Sequence, residues 1–183
     1  MGWAVANAVP SLTKRERAFV TWASVIPDVD GLGIVAEKLT QRSAHPLDWW
    51  SSYHHVLGHN IGFALAVSVL AAIFAKHKIK TTILVLFSFH LHLLADLVGA
   101  RGNDGDQWPI PYLLPFSNQV QLTWSGQWAL NAWPNMLITA ALIGVAVLLA
   151  CKRGFSPLEM FSAEADGTFV RTLRNRFRAR AAD

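Results

Sequence analysis

Three apolar segments govern what this chain can fold into. Residues 60–75, 81–98 and 134–151 are apolar nearly all round, and each ends at a basic or turn-forming stretch. At 16 to 18 residues they lie at the short end of what crosses a bilayer as a helix. Between positions 107 and 151 there is no Asp, Glu, Lys or Arg at all. With 52% hydrophobic and 15% charged residues over a length of 183, the chain is oily for a soluble domain of its size. The expectation is an all-α fold, an integral membrane helical bundle. A further apolar segment, 18–26, is too short to span and stops at Pro27, so it is expected to insert only part-way.

Most of the 16 basic residues cluster in three groups: Lys14, Arg15 and Arg17; Lys76, Lys78 and Lys80; and the tail from Arg171 through Arg174, Arg176, Arg178 and Arg180. They sit between oily segments rather than in one basic domain, which argues against a nucleic-acid partner despite the net charge of +4. Taken as cytoplasmic flanks of membrane helices, all three fit on one side. The opposite side then receives the loop 99–133 and a set of aromatics that includes Trp49, Trp50, Tyr53, Trp108, Tyr112, Trp124 and Trp128. Three prolines within residues 108–115 rule out regular helix there and predict an irregular Trp/Pro-rich cap. The single cysteine, Cys151, can form neither an intrachain disulfide nor a thiolate cluster.

Ionisable side chains interrupt these oily surroundings at three places. Asp28 and Asp30 lie in Pro27-Asp28-Val29-Asp30-Gly31, His54, His55 and His59 precede the first long segment, and His90, His92 and Asp96 lie within the second. Such groups are costly to bury unless they are paired or bind metal. His92 and Asp96 are four apart, which on a helix puts imidazole and carboxylate on one face. His55 and His59 have the same spacing, and His54 could instead swing in from a helix start. Two of these three histidines are expected to bind metal, and the third to make an outer hydrogen bond. His90 points away from His92 and reads as a helix-packing group as readily as a ligand. The candidate metal ligands are therefore Asp28, Asp30, His54, His55, His59, His92 and Asp96. Mixed His/Asp ligation suits zinc, with manganese or iron as alternatives. No serine elbow, phosphate-binding glycine loop or Cys-x-x-Cys occurs, so a metal-activated water is the nucleophile these residues support. Asp30, Asp104 and Arg101 are the candidate catalytic residues, with Arg101 placed to steady an anionic group.

The order Pro27-Asp28-Val29-Asp30-Gly31, His54-His55-x-x-x-His59-Asn60, His90-x-His92-x-x-x-Asp96 and Trp108-Pro109-Ile110-Pro111-Tyr112 resembles the YdjM-like family over roughly residues 18–160. That family comprises inner-membrane-associated proteins regarded as metal-dependent hydrolases, distantly similar to the zinc phospholipase C and P1 nuclease group. The resemblance implies a helical Asp/His site and phosphoester chemistry, and its His-Arg-x-x-x-His motif would align His54 and His59, with His55 in the Arg place. One departure is that many relatives carry a His near the N-terminus, whereas here none precedes His45. The resulting expectation is a multi-pass inner-membrane protein. Its hydrolase-like domain covers 1–161, followed by a basic cytoplasmic tail, 162–183. It would use metal-activated water on an ester or phosphoester that is small or amphiphilic, with membrane lipids as its surroundings. The alternative is a non-catalytic metal-stabilised scaffold or a metal carrier.

Helix rise places His92 roughly 17 Å and Asp96 roughly 22 Å beyond Thr81, below the outer headgroups of a hydrocarbon core about 30 Å thick. The site is thus expected toward the non-cytoplasmic face. Single cysteines at Lys78 and Ser117, in a Cys151→Ser background, report this with an impermeant thiol reagent on intact cells. Ser117→Cys should label and Lys78→Cys should be protected; the reverse pattern would put the site in the cytoplasm.

Overall fold

The computed structural model describes residues 1–102 and 105–179. Its elements are α1 (Gly2–Ala8), α2 (Lys14–Trp22), a 3-10 turn (Ile26–Leu32), α3 (Gly33–Thr40), α4 (Trp49–Tyr53), α5 (Ile61–Phe74), α6 (Lys78–Gly99), α7 (Trp133–Arg153), a second 3-10 turn (Pro157–Met160) and α8 (Ala163–Ala179). Among the described residues there are no strands, only the isolated bridges Arg101 to Ala129 and Ile110 to Leu122. The fold is the all-α membrane type expected, with an irregular stretch between α6 and α7.

α6 and α7 are long and apolar enough to cross a membrane, at 22 and 21 residues, or about 32–33 Å of rise each. A third crossing arises only if α2 and the segment Ile26–Thr40, bent by 53° at their junction, count as one broken span. The expected first span is shorter than its composition suggests. Asn60 caps α5 by accepting from the Phe63 N–H, and Ala75 is already extended, leaving 14 residues. Leu65, Val69 and Ile73 of α5, Ile83 and Phe87 of α6, and Leu137 and Leu148 of α7 are exposed, as a lipid-facing surface requires.

Inside, α5 and α6 pack as an antiparallel pair. The buried face of α5 is Ala64, Ser68 and Ala71, small residues that let the backbones approach. Opposite them α6 buries Thr81, Val85, Ser88, Phe89 and His92. α2 packs on α6 and carries its own start signal: Thr13 and Glu16 form a capping box. Glu16 is itself buried and accepts from the His77 backbone N–H, which ties the α5–α6 turn to α2.

Polarity is divided between the two ends. Lys80 reaches Ser11, Arg17 pairs with Glu159, and the basic helix α8 lies against the C-terminal end of α7, where Arg174 donates to the Cys151 carbonyl. The other end holds the start of α5, the end of α6, the start of α7 and the irregular 99–133 stretch. There the Ile61 and Gly62 N–H groups donate to Tyr112 and Leu114, and Asn135 donates to the Gly99 carbonyl. The helix ends that packing would otherwise leave unsatisfied are thus served by the Trp/Pro-rich segment.

The Arg17–Glu159 pair is bidentate, at 2.7 and 2.6 Å, and nearly dry. Removing one partner strands a buried charge, so Glu159→Ala is expected to cost about 3 kcal/mol. The pair Arg17→Met with Glu159→Met should cost clearly less than the single change. Thermal unfolding in detergent checks both.

Candidate metal centre

Two turns of backbone deliver the polar end of the molecule to one point. After α2, Pro27 starts the 3-10 turn Ile26–Leu32, which carries Asp28 at its exposed edge and Asp30 at its buried edge. The second piece is the stretch 54–60, where spacing favours a helical pairing of His55 with His59. Instead α4 ends at Tyr53, His54 is extended, and His55 takes φ 65, a left-handed conformation uncommon outside glycine. Gly58 lies against the Pro27 carbonyl so closely that a Cβ there would run into it. The helical pairing of His55 with His59 is therefore overturned. The chain turns at His55 so that Gly58 can seat on the Asp28–Asp30 turn, and His59 enters from a loop, not from a helix face. On α6 the expected geometry holds: His92 Nε2 lies 3.0 Å from Asp96 Oδ2, one turn on.

Asp28, His59, His92 and Asp96 each offer one ligand atom, and the four atoms lie within 4.8 Å of one another. His59 Nε2 is 3.6 Å from Asp28 Oδ1, 3.3 Å from Asp96 Oδ2 and 3.3 Å from His92 Nε2, and His92 Nε2 is 3.4 Å from Asp28 Oδ1. Bonds of about 2.0–2.1 Å to the corners of a tetrahedron would give edges of about 3.3–3.4 Å, close to these separations.

The proton positions argue the same way. His59 Nδ1–H donates to Asp30 Oδ2 at 3.2 Å, and His92 Nδ1–H donates to the Ser24 carbonyl at 3.1 Å. Both neutral rings then present bare Nε2 lone pairs toward each other and toward two carboxylates. Asp96 Oδ2, although near both rings, is buried and makes no hydrogen bond. In their neutral form, rings and carboxylates converging in this way can hold a cation.

Asp30 stands behind this group. Its two oxygens take His54 Nδ1–H at 3.0 Å, the Gly58 N–H at 2.9 Å and His59 Nδ1–H, so it orients His59 and anchors the loop. Of the seven candidate ligands, then, four converge, while Asp30, His54 and His55 form the wall around them. His55 stacks on His59 with ring centroids 4.4 Å apart, and its Nδ1 is buried without a partner. Burial, then the neighbouring His59 and His54, push the His55 imidazole down to about 4. His90 makes the packing bond: its ring meets Tyr112 Oη at 2.9 Å.

The group opens outward at Asp28, whose side chain is 53% exposed, while those of His59 and His92 are 0 and 8% exposed. Beyond Asp28 lies a cavity of about 460 Å³ with Trp50, His54, His55, Arg101 and Trp108 in its walls. It shares His54, His55, Trp50 and Trp108 with a neighbouring cleft of about 620 Å³. Trp50 stacks on His54 at 3.8 Å, and Trp108 meets the edges of His54 and His55. Arg101 donates to the Ser125 carbonyl, and its Nε is buried with no partner among the described residues. Asp104 lies outside the described residues. The spacing of the sequence did not point to Ser24, Gly58, Trp50 or Trp108 as parts of the site. Only Gly58, next to His59 and ahead of the Asn60 cap, carries a local signal, that of a turn.

Residues 1–166 match YdjM inner membrane protein among known families. The chain belongs to that family. As a YdjM family member with two helices fit to span, it is an inner-membrane protein, and its converging Asp/His group can hold a metal ion. Comparison with curated proteins and with solved structures finds no match.

Metal analysis of purified protein tests the group. His59→Ala with His92→Ala should abolish bound metal. Asp30→Asn should keep the four ligands but weaken affinity about 10- to 100-fold, because an amide cannot accept from all three groups that Asp30 holds behind them. Full metal retention in the double variant would remove the centre from these residues.

Proposed function

We propose that this YdjM family member is a metal-dependent hydrolase of phosphoesters, with zinc held by Asp28, His59, His92 and Asp96. The observation that carries this reading is the site's one-sided opening. The two rings are gripped from behind by Asp30 and Ser24, and Asp28, the exposed carboxylate of the four, faces a cavity that also holds Arg101. A divalent ion in that position supplies Lewis acidity and a water of lowered pKa.

The residues around it divide the remaining work. Arg101, on the cavity wall with no partner for its Nε among the described residues, is suited to pair with a non-bridging phosphate oxygen. His55, held neutral by burial, lines the same wall and shapes it without carrying charge. Trp50 and Trp108 narrow the cavity and lower its water content. In the reaction a water oxygen bonds to phosphorus, the P–O bond to the alcohol breaks, and the water's proton ends on that alcohol. A metal carrier would need ligands spread through the membrane thickness, whereas these gather at one end of α6.

Turnover of a panel of phosphomonoesters and phosphodiesters in detergent, with and without chelator, tests the assignment. Activity should vanish on chelation and return with zinc. Arg101→Ala should lower kcat/KM about 100-fold, the scale of a lost charge-stabilising donor, with metal content unchanged. Turnover that ignores chelator, or none across the panel, would leave a metal-stabilised scaffold.

A further inference from the structure

The metal group has a second neighbour, on the membrane side. A cavity of about 720 Å³ runs between α6 and α7, with Leu91, Leu94, Ile138, Leu142 and Ala146 among its walls. Its one ionisable side chain is Asp96, which also lines the polar cavity with Arg101. The two spanning helices scarcely touch along this line; α7 packs on α1 and α8 instead. The space is therefore a groove, open sideways where Leu94 and Ile138 are exposed. Its mouth is at the site end, where Asn135 bonds to Gly99, and it runs to Ala146, 11 residues further along α7. That is about 16 Å into the apolar depth of the bundle.

We propose that this groove holds the acyl chain of an amphiphilic phosphoester, whose phosphate is presented to the metal group and Arg101. The proposal rests on the hydrolase reading and names its substrate class. Three observations favour this occupant. The groove lies between the two helices long and apolar enough to cross a membrane, so in a bilayer hydrocarbon would reach it without crossing water. It adjoins the site cavity, with Asp96 and Leu130 in the walls of both. Its walls change from mostly apolar, along Leu91, Leu94, Ile138, Leu142 and Ala146, to polar at Asn135 and Asp96, as a lipid changes from tail to headgroup.

The test uses the full chain in lipid nanodiscs and a lysophosphatidic acid analogue carrying a diazirine at the end of its acyl chain. After irradiation, peptide mapping should place adducts on Leu91, Leu142 and Ala146. Leu142→Trp should reduce that labelling about tenfold by filling the space, with metal content unaltered. Ala146→Phe is a second filling variant, and α7 is so little buried that neither change threatens the fold. Adducts spread evenly over outward residues such as Leu137 and Leu148 would overturn the proposal. So would wild-type labelling in both variants, or cross-links between two copies within the groove. The labelling is read without turnover, so it decides the groove even where no phosphoester is hydrolysed.

Discussion

Lone pairs that converge on one spot repel one another, and the polypeptide around Asp28, His59, His92 and Asp96 is built to hold them there. Each imidazole is fixed from behind, His59 by Asp30 and His92 by the Ser24 carbonyl. Those two partners come from adjacent pieces of chain, the end of α2 and the turn Ile26–Leu32, so one short region sets both rings. Asp28 comes from the same turn. The bend between α2 and α3 thus supplies one ligand and the orientation of two others, and the packing of α2 on α6 positions the fourth, Asp96.

That dependence explains the backbone at 54–60. A helix there would put His55 and His59 on one face but would carry Gly58 away from Pro27, and Asp30 would lose its bond to the Gly58 N–H. The left-handed His55 costs backbone energy, of order 1–3 kcal/mol for a strained residue. The three hydrogen bonds gathered on Asp30 offset it.

The sequence showed the long elements well, for a physical reason. α6 and α7 are set by apolar composition over more than 20 residues, and the one-turn pairing of His92 with Asp96 follows from helix geometry alone. What stayed hidden depends on contacts between distant segments. Spacing made His54 and His55 as eligible as His59, and only the fold shows His54 turned to Asp30 and His55 stacked on His59. Asp30 looks the equal of Asp28 in Pro-Asp-Val-Asp-Gly, yet one is buried behind the site and the other faces the cavity. The Ser24 carbonyl is a backbone group and leaves no mark on composition. The length of α5 was misjudged because apolar residues run up to its ends while the Asn60 cap and the extended Ala75 decide where it stops.

The shortness of α5 is what makes room for the centre. α6 rises about 33 Å over its 22 residues, whereas the 14 residues of α5 rise about 21 Å. His92 stands 14 residues beyond Lys78, again about 21 Å. The two helices start from one tight turn and run side by side, so α5 gives out at the level where His92 sits. The space above it, against the last two turns of α6, is taken by the 54–60 loop, which puts His59 Nε2 3.3 Å from His92 Nε2. Irregular backbone at membrane depth is tolerable only when protein surrounds it. This loop meets that condition: Gly58, His59 and Asn60 are buried, Asn60 donates back to Val56 and Leu57, and the 110–117 segment covers the start of α5. A full-length α5 would cross the membrane unaided but would fill this space with its own backbone and leave His92 and Asp96 facing an apolar helix. The same shortfall that weakens α5 as a spanning segment is therefore what allows a polar, ligand-bearing loop to lie beside the last turns of a helix long enough to span.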